Sequence, residues 1–203
     1  MKERDDWDVV WLSHVFFNSG HVVPPEDLQA ILAAIEWQGT FAVIDGYHAF
    51  MAIPVDLAPI AARAFYIAGG YKYAMAGEGA CFMHCPPGYG ERPRDTGWYA
   101  EFGALEKARG DIVAYGRDAT RFAGATFDPS GIYRLNAVMD WLADLDLDLA
   151  TAHDHCTALK THLVEQLSAG KAALSPSQLV VPDPAAAGRF LTFRTENAGR
   201  IDE

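Results

Sequence analysis

The chain is poor in three things that would each dictate a fold or a partner. It has 3 cysteines in 203 residues, Cys81, Cys85 and Cys156, an odd set without framework spacing. A disulfide scaffold is thereby excluded, and a reducing compartment is the natural context. Positive charge is also scarce: 16 Lys and Arg against 27 Asp and Glu leave a formal net charge of -11. Phosphate backbones reward clustered cations, so nucleic acid is excluded as a natural partner, whereas a small anion held by local donors is not. No apolar run approaches the roughly 20 residues of a membrane helix. The opening Met1-Lys2-Glu3-Arg4-Asp5-Asp6 is too charged for a signal peptide, and a cytoplasmic chain is expected. Internal repeats and low-complexity segments are missing as well.

What remains is a composition that is 50% hydrophobic, enough for a good core in one domain or one domain plus a fragment. Trp7 to Ser13 reads as a buried strand, Thr40 to Asp45 as a strand apolar on both faces, and Ala64 to Ala68 and Ala80 to His84 as further strands. Pro24-Pro25-Glu26-Asp27 opens an amphipathic helix through Leu28, Ile31, Leu32 and Ile35, and Asp56 caps a short helix through Ala62. Continuous apolar strands alternating with helices predict an α/β fold, a mainly parallel sheet with helices on both faces. From Cys85 to about Thr120 the chain is rich in Pro, Gly and aromatics, and a loop of that length points to function or an interface. Beyond Pro129, Ile132, Leu135, Val138, Met139 and Leu142 fall at helical spacing, and a second helix is expected from about Thr151 to Leu167. Two strand-like pieces, Ser177 to Val181 and Arg189 to Arg194, predict the start of a smaller α+β domain.

The chemistry converges on Lys72. In an open α/β sheet the ligand crevice lies at the carboxyl ends of the strands, where Asp45 and Lys72 both fall. A lysine framed by glycines and tyrosines, Gly69-Gly70-Tyr71-Lys72-Tyr73, suits an amine poised for imine chemistry. An aspartate facing a pyridine nitrogen would keep that ring protonated, which is the arrangement pyridoxal phosphate requires. Tyr71, backbone amides and a threonine are the candidate phosphate donors. Taken singly, Asp45 is a turn former, Lys72 a solvated turn lysine and His48 a structural histidine; their pairing is what carries the argument.

Other constellations carry less. His153, His155, Cys156 and His162 resemble a metal cluster, but His155 and His162 lie two helical turns apart, about 10 Å, too far for one ion. Ser13 and His14 are adjacent on a strand and point to opposite faces, which rules out a nucleophile and base pair. Asp144, Asp146 and Asp148 read as a solvated turn between helices. No metal is expected.

At this point the residues resemble a known family. Ser13-His14-Val15 with Ser19-Gly20, Val43-Ile44-Asp45-Gly46-Tyr47-His48, Pro54-Val55-Asp56-Leu57, Gly70-Tyr71-Lys72-Tyr73 and Gly77-Glu78-Gly79 look like the class V aminotransferases. These are fold-type I pyridoxal phosphate enzymes, and within them the chain is most similar to the kynureninase and cysteine desulfurase-like branch. The resemblance implies that Lys72 forms the imine with pyridoxal 5′-phosphate, that Asp45 pairs with the ring nitrogen, and that His48 supports Asp45 or the ring. It implies Tyr71 as a phosphate donor. Thr126 is matched to a threonine reaching the neighbouring subunit's phosphate, and Trp98 to a loop aromatic near the dimer interface, while Asn18 is the neighbouring residue that could substitute for an asparagine near the ring oxygen. A homodimer, or a complex with a chain supplying further segments, is implied.

The chain also departs from that family. Phe17 aligns where relatives have the asparagine, and Thr126 sits in Ala125-Thr126-Phe127 where relatives tend to have Gly-Thr-Pro. Cys81 and Cys85 flank a strand and read as small core residues rather than a catalytic loop cysteine. The segments that in relatives precede the position of Asp5, and the arginine that binds the substrate carboxylate near their end, have no counterpart. Residues 1–145 are expected to be part of the cofactor-binding large domain and 146–203 part of a small C-terminal domain. Two functions follow: an enzyme acting on an amino acid, a lyase or hydrolase in that branch, or a degenerate relative serving as a structural or interaction subunit.

Overall fold

The computed structural model describes residues 6–107, 110–170, 173–196 and 198. A four-stranded sheet organises the first half, with β1 at Val9–Ser13, β2 at Phe41–Asp45, β3 at Ala64–Gly69 and β4 at Cys81–His84, in that spatial order. The first three strands are parallel and β4 runs antiparallel to β3. Register sets Ser13 beside Asp45 and Asp45 beside Ile67, so the carboxyl ends of the parallel strands finish abreast.

Alternation along the strands sorts their side chains. Ala42, Ile44, Ala64, Tyr66 and Ala68 join Leu28, Leu32 and Ile35 in one buried cluster. Leu28 and Leu32 come from helix α1, Pro25–Ala33, which begins with Pro at its first turn and Glu26 and Asp27 beside it, the arrangement a helix N-terminus favours. Of the expected two-sided cover, the described residues supply α1 on this face. On the other, Phe65 is buried under the ring of Tyr89, 4.7 Å away and edge-on, while Trp11 is 58% exposed.

The mainly parallel sheet is as expected, with β4 alone running antiparallel, because the glycine-bearing turn of residues 70–80 is too short for a crossover helix. Two expectations are corrected. Residues 58–63 form successive turns rather than a helix, and Asp56 accepts from the Ala58 amide at 2.9 Å as a turn former. The two strands expected near 177–194 are absent as strands. Pro176 starts a 3-10 turn and Pro182 follows Val181, so only the bridge of Leu179 with Phe193 forms, flanked by Val180 N to Thr192 O at 2.9 Å and Arg194 N to Gln178 O at 2.7 Å.

Helix α2, Ser130–Asp144, and helix α3, Leu149–Ala169, meet the periodic segments read from the sequence. Asp148 caps α3 by accepting from the Thr151 amide at 2.7 Å. The first turn of α2 is pressed onto the turn that follows β3: Arg134 donates to the carbonyls of Ala76, at 2.9 Å, and of Glu78. Gly131 is required there, because a Cβ at this position would overlap the Gly79 backbone.

Gly131→Ala is therefore expected to cost about 1–3 kcal/mol through overpacking against main chain. Urea denaturation measures it, and an unchanged midpoint would mean that α2 does not seat against Gly79.

Candidate active site

The carboxyl edge of the sheet assembles the residues singled out in the sequence. Asp45 ends β2, and the chain turns at once: the Tyr47 amide donates to Asp45 Oδ1 at 3.0 Å, and the Ala49 and Phe50 amides return to the Gly46 carbonyl. The turn is tight because Gly46 lies against the Tyr66 ring, where no side chain would fit. It delivers His48 toward the loop after β3. There Gly70 is held between its amide bond to Ala80 O, 2.7 Å, and the Ala76 amide on its own carbonyl, 2.8 Å. Lys72 emerges from this clamp.

Lys72 Nζ lies 2.7 Å from His48 Nε2. The imidazole pKa is lowered by burial and then by the Lys72 cation, outweighing an opposite pull from Asp45, so His48 is the neutral acceptor. A neutral ring accepting at Nε2 carries its hydrogen on Nδ1, which faces the Tyr73 hydroxyl at 3.5 Å. His48 thus contacts Lys72 and Tyr73, where the family resemblance implied support of Asp45. Phe17 and Phe190 pack around the imidazole with ring centroids 5.0 and 5.8 Å away.

Asp45 is half-buried, and among the described residues its second carboxylate oxygen has no hydrogen-bond donor. Tyr71 is 41% exposed, and its hydroxyl is free of hydrogen bonds among the described residues. Its ring lies 5.5 Å from that of Tyr47, whose own hydroxyl donates to Cys81 Sγ at 3.2 Å. That bond, with burial behind it, pushes the Tyr47 phenol up to about 12 and keeps it protonated. An amine, a carboxylate oxygen open to an N–H donor and an open phenol fit pyridoxal phosphate: imine, ring nitrogen and phosphate each have a chemically suited partner.

Not every expected residue joins this group. Among the described residues no hydrogen bond or ring contact joins Asn18, Trp98 or Thr126 to Lys72, Asp45 or His48. Trp98 packs with Tyr99 and Phe102 in the long loop, and Asn18 and Thr126 are exposed. Among the described residues no group of three His, Cys, Asp or Glu side chains could hold a metal ion, and no helix is long and apolar enough to cross a membrane. Cys81 is exposed, so it does not fill the core as expected; it is the acceptor for Tyr47.

Sequence reasoning missed Arg189 and Lys160. Arg189 donates to Ala52 O at 2.7 Å, Met51 O at 3.3 Å, Ala152 O at 3.2 Å and Cys156 Sγ. It ties α3 to the end of the turn that carries His48. Lys160 is 8% exposed and donates to the carbonyls of Ala187 and Gly188, both at 2.7 Å. Both contacts span dozens of residues, and no local pattern announces them.

The chain is similar to proteins of known kind. The family model for aminotransferase class-V matches residues 3–185. A probable cysteine desulfurase of Vibrio cholerae is 28% identical over 154 residues, covering 72% of this chain and 35% of that protein. Isopenicillin N epimerase of Streptomyces clavuligerus is 28% identical over 195 residues, covering 91% of this chain and 45% of that protein. Among solved structures, a cysteine desulfurase from Thermococcus onnurineus superposes with a TM-score of 0.70 at 17% identity, over 94% of this chain and 44% of that one. The chain spans less than half the length of the curated relatives it matches.

One histidine at this edge makes a testable statement about pH. His14 is buried, its Nδ1 lies 3.1 Å from the Tyr66 hydroxyl, and burial lowers its pKa from 6.5. The unfolded chain takes up that proton near 6.5 while the folded chain does not, so stability is complete above this pH and falls as pH drops through it. His48 acts in the same direction. Urea denaturation at about pH 7.5 and about pH 5 should show a loss on acidification that His14→Asn reduces; an equal loss in that variant would mean His14 is not held neutral.

Proposed function

The chain belongs to the aminotransferase class-V family, enzymes of pyridoxal 5′-phosphate, and from that premise we propose that it acts on an amino-acid substrate with Lys72 as the amine that binds the cofactor. The observation that carries this reading is the 2.7 Å contact between Lys72 Nζ and a neutral His48, three residues beyond Asp45. Bound pyridoxal phosphate supplies an electron sink for the substrate's α-carbon.

The chain's own groups have separable tasks. Asp45 would offer its open oxygen to the ring nitrogen and favour a proton there by charge. His48 accepts a proton from Lys72 Nζ, freeing the amine to act as a nucleophile and later as a base at the α-carbon. Tyr73, facing the other imidazole nitrogen, fixes the tautomer that makes this possible. Tyr71 would donate its hydroxyl to the phosphate. Phe17 and Phe190 pack against the His48 imidazole and help to hold its orientation.

The kynureninase and cysteine desulfurase-like branch is the proposed place within the family, with a lyase or hydrolase reaction. In that reading Thr126 and Trp98 serve the neighbouring subunit of a cytoplasmic homodimer, which accounts for their standing apart from Lys72. Asn18, next to Phe17 in sequence, would stand near the ring oxygen. Residues 1–145 are the large-domain part and 146–203 the small-domain part.

Mixed with pyridoxal phosphate, the chain should show an imine absorbance, and borohydride should leave a stable adduct on Lys72. Lys72→Ala should abolish the adduct with the fold intact, and Asp45→Asn should weaken cofactor binding by tenfold or more, since a charged hydrogen bond is worth about 1.5–3 kcal/mol. Peptide mapping by mass spectrometry decides it; an adduct that survives Lys72→Ala would remove Lys72 from its role.

A further inference from the structure

The stem of Lys72 also lines a cavity of about 320 Å³ between the lysine loop and the α2–α3 corner. Met51 and Met75 contribute from the loop side, and Leu142 and Leu149 from the corner. Two charged groups face it as well, and both are already engaged. Asp148 accepts the Thr151 amide as the cap of α3, and Arg189 spends its donors on three carbonyls and the Cys156 sulfur. Around these charged groups the lining is mainly apolar.

Asp45 and His48 do not line this cavity. Lys72 stands between two environments: polar partners for a cofactor ring at its amine, and an apolar chamber along its stem. Met51 and Met75 both adopt left-handed backbone conformations, φ 58° and 57°, and their unbranched side chains adapt to an occupant of variable shape. Arg189 anchors the Met51 carbonyl and so fixes one wall.

We propose that this cavity receives the side chain of the amino-acid substrate and selects extended apolar chains over short ones. The inference rests on the reading of Lys72 given above, because a substrate joined to the cofactor there places its side chain within reach of the chamber. A chain of several methylenes displaces water from Leu and Met surface, whereas a single methyl leaves the chamber wet.

Two reduced conjugates test it without turnover: N-(phosphopyridoxyl)-L-alanine and N-(phosphopyridoxyl)-L-norleucine, titrated into the chain by calorimetry. The norleucine conjugate should bind at least about ten-fold more tightly, the effect of burying three further methylenes. Leu142→Trp should fill the chamber and bring the two affinities near parity while leaving the alanine conjugate unchanged. Met75→Trp, at an exposed loop position that cannot threaten the core, should do the same. Equal binding of both conjugates to the unmodified chain would overturn the cavity assignment and leave the Lys72 reading standing. Failure of both to bind would overturn the Lys72 reading, and this inference with it.

Discussion

Everything at the carboxyl edge depends on the parallel register of β1, β2 and β3. Ser13, Asp45 and Ile67 lie abreast because each strand pairs with its neighbour without a slip. A shift of one residue between β2 and β3 would turn Asp45 to the face that packs on α1 and bury a carboxylate among Leu28, Leu32 and Ile35. The same slip would displace Lys72 from His48. Core packing and site geometry are therefore fixed by one constraint, and Ala42, Ile44, Ala64 and Ala68 hold it by being small or apolar where α1 must approach.

Within that frame the pair of Lys72 and His48 works by asymmetry. A lysine 2.7 Å from a second protonated group would be repelled, so one partner has to be neutral. Burial and the ammonium charge both push the imidazole pKa down, and Asp45 is close enough to oppose but not to reverse them. Tyr73 and the two phenylalanines complete the arrangement without adding charge. A carboxylate in place of His48 would lock Lys72 as an ammonium and spoil it for nucleophilic work; an imidazole can give the proton onward.

The sequence made the strands legible because Val9 to Ser13, Phe41 to Asp45 and Ala64 to Gly69 are continuous apolar runs, a pattern that survives any tertiary detail. Helices α2 and α3 were legible through periodicity. Asp56 misled because the signal that caps a helix also forms an isolated turn. The pieces near 177–194 misled because strand propensity says nothing about whether prolines will deny the ladder its donors. At the site, Asp45, His48 and Lys72 were legible as types at strand ends, while the partner of His48 was not: whether it faces Asp45 or Lys72 is a matter of how the Gly46 turn closes on Tyr66.

Arg189 and Lys160 extend the same logic to the second half of the chain. Both cations lie near one another at the contact between α3 and the segment 187–189, and neither is neutralised by a carboxylate at hydrogen-bond distance among the described residues. Burial and the Arg189 charge lower the Lys160 pKa, a cost that carbonyl acceptors partly offset. Carbonyls suit the task better than carboxylates would, because they orient main chain. Lys160 fixes Ala187 and Gly188, and Arg189 then reaches across to Met51 and Ala52 at the end of the turn that began at Gly46. The position of His48 is thus set from both ends, by the β2 terminus on one side and by α3 through a single guanidinium on the other. A short turn carrying a functional imidazole needs such a second anchor, since its own backbone bonds, Ala49 and Phe50 to Gly46 and Ala52 and Ile53 to Ala49, fix its pitch but not its tilt against the sheet.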